Sequence, residues 1–197
     1  MDPATFVEPH RPGEEYPLRV TTAGVPKVID TTVRVVEYND LEAVERTLAK
    51  GDVAAILLEP ILQNIGIVKP VPGYLEGLRA LCDKYGTVLI FDEVKTGFRH
   101  ALGGYQAISG VTPDLCTFGK AVANGYPMGV IGGRKEIMGL CSHPDPSKRV
   151  VVAGTYNGHP VNVAAAKASL TRLKTREKEV YGELERLGAR LEAGLKS

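Results

Sequence analysis

The chain has 197 residues, 44% of them hydrophobic, which is enough to bury the core of one sizeable α/β domain. Its 24 basic and 23 acidic residues leave a net charge of +1, and no block of like charge stands out, so nothing points to nucleic acid or an anionic membrane surface. A small-molecule site is the expectation.

The opening, to about Thr32, is rich in Pro and Gly with little periodicity and reads as an extended connection over residues 1–32. Its early acids and prolines, "MDPATFVEPHRPGEEYPL", do not resemble a signal peptide, and no later apolar run reaches spanning length. "NDLEAVERTLAKGD" then predicts a helix, with a polar cap at Asn39 or Asp40, apolar positions at Leu41, Val44 and Leu48, and a stop at Gly51. "VAAILLEP" follows as a buried strand. "GYLEGLRALCDKYG" is helical by spacing, with Leu75, Leu78 and Leu81 on one face and Gly86 at the end. "TVLIFDE" is the next strand, and strands alternating with helices predict a mostly parallel α/β sheet, because parallel neighbours need a crossover.

Beyond it, "DLCTFGK", "MGVIGG" and "RVVVAGT" read as short strands and "KEIMGL" as a short helix. From about Pro160 the pattern is helical almost to the end, and the last helix, within 173–197, reads as an entry to a further domain.

Three cysteines, Cys82, Cys116 and Cys141, are widely spaced and odd in number, which suits a reduced, cytoplasmic setting. The four histidines have neither HxxxH spacing nor a clustered acid or thiol, so no metal site is expected.

Ligands of open parallel sheets sit at the carboxyl ends of the strands. "AILLEP" ends in Glu59 and "VLIFDE" in Asp92 and Glu93, so carboxylates gather at that edge. A magnesium-nucleotide site would need GxxxxGK followed by Ser or Thr. Around Gly119-Lys120 the first Gly is replaced by Asp114 and Ala121 follows, and no GxGxxG occurs.

Lys120 lies between an apolar strand and a Gly-rich turn, where an amine that loses water becomes a nucleophile for an aldehyde. Were that aldehyde pyridoxal phosphate (PLP), Asp92 could face its ring nitrogen, Val94 its flat face and the "GTYNGHP" turn its phosphate. The plainer alternatives are a surface lysine after Gly, and carboxylates serving as helix caps or ion-pair partners.

The ordered run from "LLEPILQNIG" through "FDEVKTGFRHALGG" to "FGKAVANGYPMG" resembles the class III aminotransferases, PLP-dependent enzymes of fold type I, and within them the glutamate-1-semialdehyde 2,1-aminomutase branch. The resemblance implies a mostly parallel sheet flanked by helices, with residues 33–172 forming part of the large PLP-binding domain. It implies that Lys120 holds PLP as a Schiff base and shuttles protons, that Asp92 pairs with the pyridinium nitrogen, and that Val94 packs on one ring face. Asn64 matches an asparagine near the cofactor, and Thr155 a threonine that binds the phosphate from the neighbouring subunit of a homodimer. Glu59 matches the family's Glu-Pro. The substrates would be a small amino donor and a carbonyl acceptor. Lys95 stands where many relatives carry Gln or Met, and Gln63 where Gly is common, which leaves substrate preference open. Family members are far longer, and their phosphate loop, stacking aromatic, substrate-binding N-terminal segment and small domain fall outside this stretch. The chain therefore reads as a central piece, and the rival expectation is a fragment that folds or acts only with a complementary chain.

Overall fold

The computed structural model describes residues 24–196. They divide into two compact units, each with its own packing. One holds the described residues up to Ala54 together with Pro70–Thr87, and the other holds Ala55–Lys69 and the chain from Val88 onward.

In the first unit the anticipated connection includes a 3-10 turn at Lys27–Thr31, while residues 1–23 lie outside the described part. Helix α1 (Leu41–Leu48) starts at Asp40, whose carboxylate accepts from the Ala43 N–H at 2.8 Å. Asn39, the other candidate cap, instead accepts from the Val71 N–H at 3.0 Å. Helix α2 (Tyr74–Tyr85) buries Tyr74, Leu75, Leu78 and Cys82 along one stripe. It ends at Gly86 in a left-handed conformation, the C-terminal stop expected of glycine. Burial of Val44 and Leu48 on α1 completes this small helical core.

The second unit contains a four-stranded sheet of β1 (Ala55–Leu58), β2 (Val88–Glu93), β3 (Leu115–Phe118) and β4 (Val130–Gly133), in that spatial order. The first two pairings are parallel and the third is antiparallel, so the mostly parallel arrangement anticipated from the element order holds. Helices α3 (Gly104–Ser109), α4 (Lys135–Met138), α5 (Pro160–Thr175) and α6 (Glu177–Lys196) complete this unit. Asp114 locks the sheet just before β3: its backbone N–H donates to the Leu89 carbonyl, its Oδ2 accepts from the Leu89 N–H, and its Oδ1 binds Arg134 at 3.0 Å.

Strand alternation separates the faces of the sheet. Leu89, Phe91 and Glu93 are completely buried, with Cys116 beside Phe91 in register. Leu57, Ile90, Asp92, Thr117 and Ile131 belong to the opposite face. Two sequence expectations change here. The "VAAILLEP" strand is not buried throughout, because β1 is an edge strand and Leu57, on the Asp92 face, is 64% exposed. "RVVVAGT" forms no strand: Val150 donates to the Leu140 carbonyl, but Val150, Val151 and Val152 pair with no sheet edge among the described residues and stand exposed. β propensity without a partner strand forms no ladder. Helix α3, for which the sequence offered no apolar periodicity, is an addition.

Candidate active site at the carboxyl edge of the sheet

Asp92 and Thr117 are register partners on β2 and β3, and Glu93 lies opposite Phe118. Asp92 is half-buried, and its Oδ1 accepts from the Val94 N–H at 2.9 Å and from the Thr117 hydroxyl at 3.3 Å. Oδ2 accepts no hydrogen bond among the described residues, and no lysine or arginine there pairs with this carboxylate. An acceptor at a strand end is thereby left with one oxygen open to a further donor.

The adjacent carboxylate has another task. Glu93 is fully buried without a cationic partner among the described residues, yet it accepts from the Thr96 hydroxyl at 3.1 Å, the Tyr105 N–H at 2.6 Å, the Gln106 N–H at 3.4 Å and the Gln106 side-chain amide at 3.1 Å. It supplies the acceptor that α3 lacks, since Gly103 precedes the helix and has no side chain to cap it. Gly104, at φ +73°, is required there twice over: a Cβ would fall 2.6 Å from both Glu93 oxygens. The helix-cap alternative is right for Glu93, and the Gly-Gly pair ahead of "YQAIS" was its signal in the sequence.

Lys120 follows β3 directly, at the start of a 3-10 turn spanning Lys120–Val122. Gly119 brings this backbone close to the turn after β2, because a Cβ on it would lie 3.2 Å from Val94 Cγ1. The turn is seated from behind: Val122 and Ala123 pack with Ala166 of α5 in a buried cluster that Phe98, Met128 and Leu170 border. Asn162 of α5 adds a bond from its side-chain amide to the Pro127 carbonyl at 2.6 Å. Lys120 itself is exposed, so the loss of water contact expected from its sequence context is not realised, and its placement rests on backbone geometry.

Asn64 lies in a loop after β1 that the paired Leu62 and Val68 close at both ends. Its carbonyl oxygen accepts from the Lys95 ammonium, joining the loops that follow β1 and β2. Glu59 is half-buried immediately after β1. The structure thus gathers Asp92, Val94, Lys95, Asn64 and Lys120 at one edge. Thr155 is not joined to them: it lies in an exposed turn before α5 and makes no hydrogen bond among the described residues.

A cavity of about 540 Å³ opens beside Lys120 and is also lined by Arg99, Asn124, Tyr126 and Met128. Sequence patterning carried no sign of Arg99 or Tyr126, because they sit in turns where no periodicity marks the inward side. Among the described residues, no group of three or more His, Cys, Asp or Glu side chains could hold a metal ion. No helix there is long and apolar enough to cross a membrane.

Residues 15–197 match the aminotransferase class-III family. The glutamate-1-semialdehyde 2,1-aminomutase of Halorubrum lacusprofundi is 44% identical over 195 residues, which is 98% of this chain and 42% of that protein. The corresponding enzyme of Pelotomaculum thermopropionicum is 47% identical over 178 residues, 89% of this chain and 40% of that protein. The chain therefore spans about two fifths of the length of these relatives. Among solved structures, an omega-transaminase from Sphaerobacter thermophilus superimposes with a TM-score of 0.70 at 35% identity, covering 78% of this chain and 35% of that one. A glutamate-1-semialdehyde-aminomutase from Pseudomonas aeruginosa PAO1 in complex with PMP gives 0.65 at 31% identity, covering 83% and 42%.

Proposed function

We propose, since this chain belongs to the class-III aminotransferase family, that it carries the PLP-attachment edge of an aminotransferase or aminomutase. The observation behind this is the Asp92–Lys120 arrangement: a half-buried carboxylate with one oxygen uncommitted, next to the strand whose end leads through Gly119 into the lysine. The donor set fits the cofactor in kind, with an acceptor for a ring N–H, a β-branched side chain for a ring face and a primary amine.

PLP, when bound, supplies an electron sink for charge developing at the substrate α-carbon. Asp92 would hold the ring nitrogen in its charged form through Oδ2, while Val94 N–H and Thr117 fix Oδ1 and so the carboxylate plane. Val94 would restrict the ring from one side. The Lys120 amine would attach the cofactor and, once released, carry a proton to or from the α-carbon as the general base. Lys95 would fix the orientation of the Asn64 amide beside this group. Thr155 would serve the phosphate of a neighbouring subunit's site, which makes the working form a homodimer, in the cytoplasm. Small amino donors and carbonyl acceptors, as in the glutamate-1-semialdehyde aminomutases, would be the substrates. Residues 33–172 would form part of the large domain, with 173–197 leading towards a small one.

Borohydride reduction of the chain incubated with PLP, followed by peptide mass mapping, tests this reading. Label should concentrate on Lys120, vanish in Lys120→Ala and fall in Asp92→Asn; label spread over surface lysines and indifferent to Asp92→Asn would sink it. A second reading, a piece that acts only with a complementary chain, is favoured by the exposure of Leu57 and Ile131 on the Asp92 face. Light scattering on the same sample separates a defined dimer from a chain that aggregates until a partner is supplied.

A further inference from the structure

We infer that Tyr181 of α6 is a positioning residue for Lys120, acting through Phe98: its hydroxyl binds the Phe98 carbonyl, and the Phe98 ring seats the turn that carries the lysine. The inference rests on the reading of this edge as a PLP-attachment site and adds the group that holds the attachment point in place.

The need for such a group comes from the backbone. Lys120 has a φ of +44° and Phe98 one of +62°, both in the left-handed region that bulky residues adopt where their surroundings enforce it. The Lys120 side chain is exposed and forms no hydrogen bond among the described residues, so its turn is held from elsewhere. Phe98 supplies that hold on both flanks of the lysine. Its ring packs on Phe118, two residues before Lys120, at 5.1 Å between centroids. It also borders the buried cluster of Val122, Ala123 and Ala166, which begins two residues after Lys120. Gly97 permits this approach, because a Cβ there would lie 2.5 Å from the Phe118 ring and 2.7 Å from the Glu93 carbonyl oxygen.

Phe98 is in turn fixed by three hydrogen bonds of the backbone around it. The Gly97 N–H donates to the Glu93 carbonyl at 2.8 Å and the Arg99 N–H to the Thr96 carbonyl at 3.2 Å, both within the turn itself. The third comes from outside the turn: the Phe98 carbonyl accepts from the Tyr181 hydroxyl at 3.0 Å, across 83 positions of sequence. Tyr181 is half-buried, and burial, followed by the negative charge of Glu177, raises its phenol above the ordinary value, so it remains a donor through neutral and mildly alkaline pH. One neutral hydrogen bond shifts a local equilibrium by about two- to tenfold, the same order as the preference that a non-glycine residue gives up in the left-handed region. The Tyr181 bond is therefore large enough to decide which conformer Phe98 keeps.

Tyr181→Phe removes the hydroxyl and keeps the ring. In the full-length chain, hydrogen exchange of the Arg99 amide, and of the Val122 amide that donates to the Gly119 carbonyl, should quicken by about two- to tenfold, while the β1–β2 ladder keeps its rates. Arg186→Gln breaks an exposed ion pair on the same helix and should leave both amides unaltered. With PLP at limiting concentration and borohydride reduction, label on Lys120 relative to the exposed Lys135 should fall by a similar factor in Tyr181→Phe. Phe98→Gly supplies the cross-check: glycine takes the left-handed backbone freely and has no ring to pass the constraint on, so Tyr181→Phe should add nothing in that background. Unchanged exchange at Val122 overturns the inference, as do effects of the two substitutions that simply add. Faster exchange with an unaltered ratio of Lys120 to Lys135 label also overturns it, since Tyr181 would then steady the fold without serving the lysine. Wild-type label no higher on Lys120 than on Lys135 refutes the PLP-attachment reading instead, and exchange at Val122 then still decides whether Tyr181 orders the Lys120 turn.

Discussion

Replacing Glu93 by Gln isolates what a buried carboxylate contributes when donors, rather than a cation, surround it. The two oxygens are shared by two sets of donors: Thr96 and the Tyr105 N–H on Oε2, and both nitrogens of Gln106 on Oε1. A glutamine must turn its NH2 group towards one set. The Thr96 hydroxyl and the Gln106 amide can rotate to accept, but the backbone N–H of Tyr105 or of Gln106 cannot. One buried donor without an acceptor costs about 1–3 kcal/mol, and the surviving bonds lose their charge assistance, so the total is about 2–4 kcal/mol. For a chain of this size that lowers the melting temperature on the order of 10 °C. Asp92→Asn supplies the contrast, since the amide can point its NH2 along the uncommitted Oδ2 direction and keep both bonds at Oδ1. It should cost less than about 1 kcal/mol. Thermal unfolding, with hydrogen exchange of the α3 amides, provides the measurement. Equal melting shifts for the two variants, or unaltered α3 protection in Glu93→Gln, would refute this account of the Asp-Glu pair.

Two further outcomes concern groups away from that pair. Burial, with a smaller push from Asp40, raises the Tyr74 phenol to about 12 against a restraining backbone bond from Asn39. Because the folded value exceeds the unfolded one near 10, the stabilisation is complete below pH 10 and declines as pH rises through about 12. Absorbance at 295 nm should show a late tyrosine phase that Tyr74→Phe removes, and an unaltered titration curve would contradict it. Burial also raises the Cys116 thiol, and Cys82 is buried too, whereas Cys141 is partly exposed. Iodoacetamide at pH 8 should therefore modify Cys141 about tenfold faster or more than either buried thiol, with the difference disappearing in denaturant; equal native rates would contradict the packing around Cys116.

Local sequence determined much of this protein because the relevant interactions are short in range. Asp40 as a cap, Gly86 as a stop, the Leu75 and Leu78 stripe and the apolar strand ending in Asp92-Glu93 each depend on neighbours within a few positions. The ordered motif around Lys120 was legible for the same reason, as a string of fixed residues. Tertiary structure decided what depends on register and on chain reversals. Only the pairing of β2 with β3 divides the adjacent carboxylates, leaving Asp92 half-buried at the carboxyl edge of the sheet and burying Glu93 against α3. Only sheet pairing shows that Val150–Val152 finds no strand to join among the described residues and that Leu57 lies on an exposed face. Arg99 reaches the Lys120 cavity across 21 positions of sequence, through a turn at Phe98 that no periodicity announces. Propensity and patterning act along the chain, whereas a site is made where distant segments meet, and hydrogen-bond register and packing select those meetings.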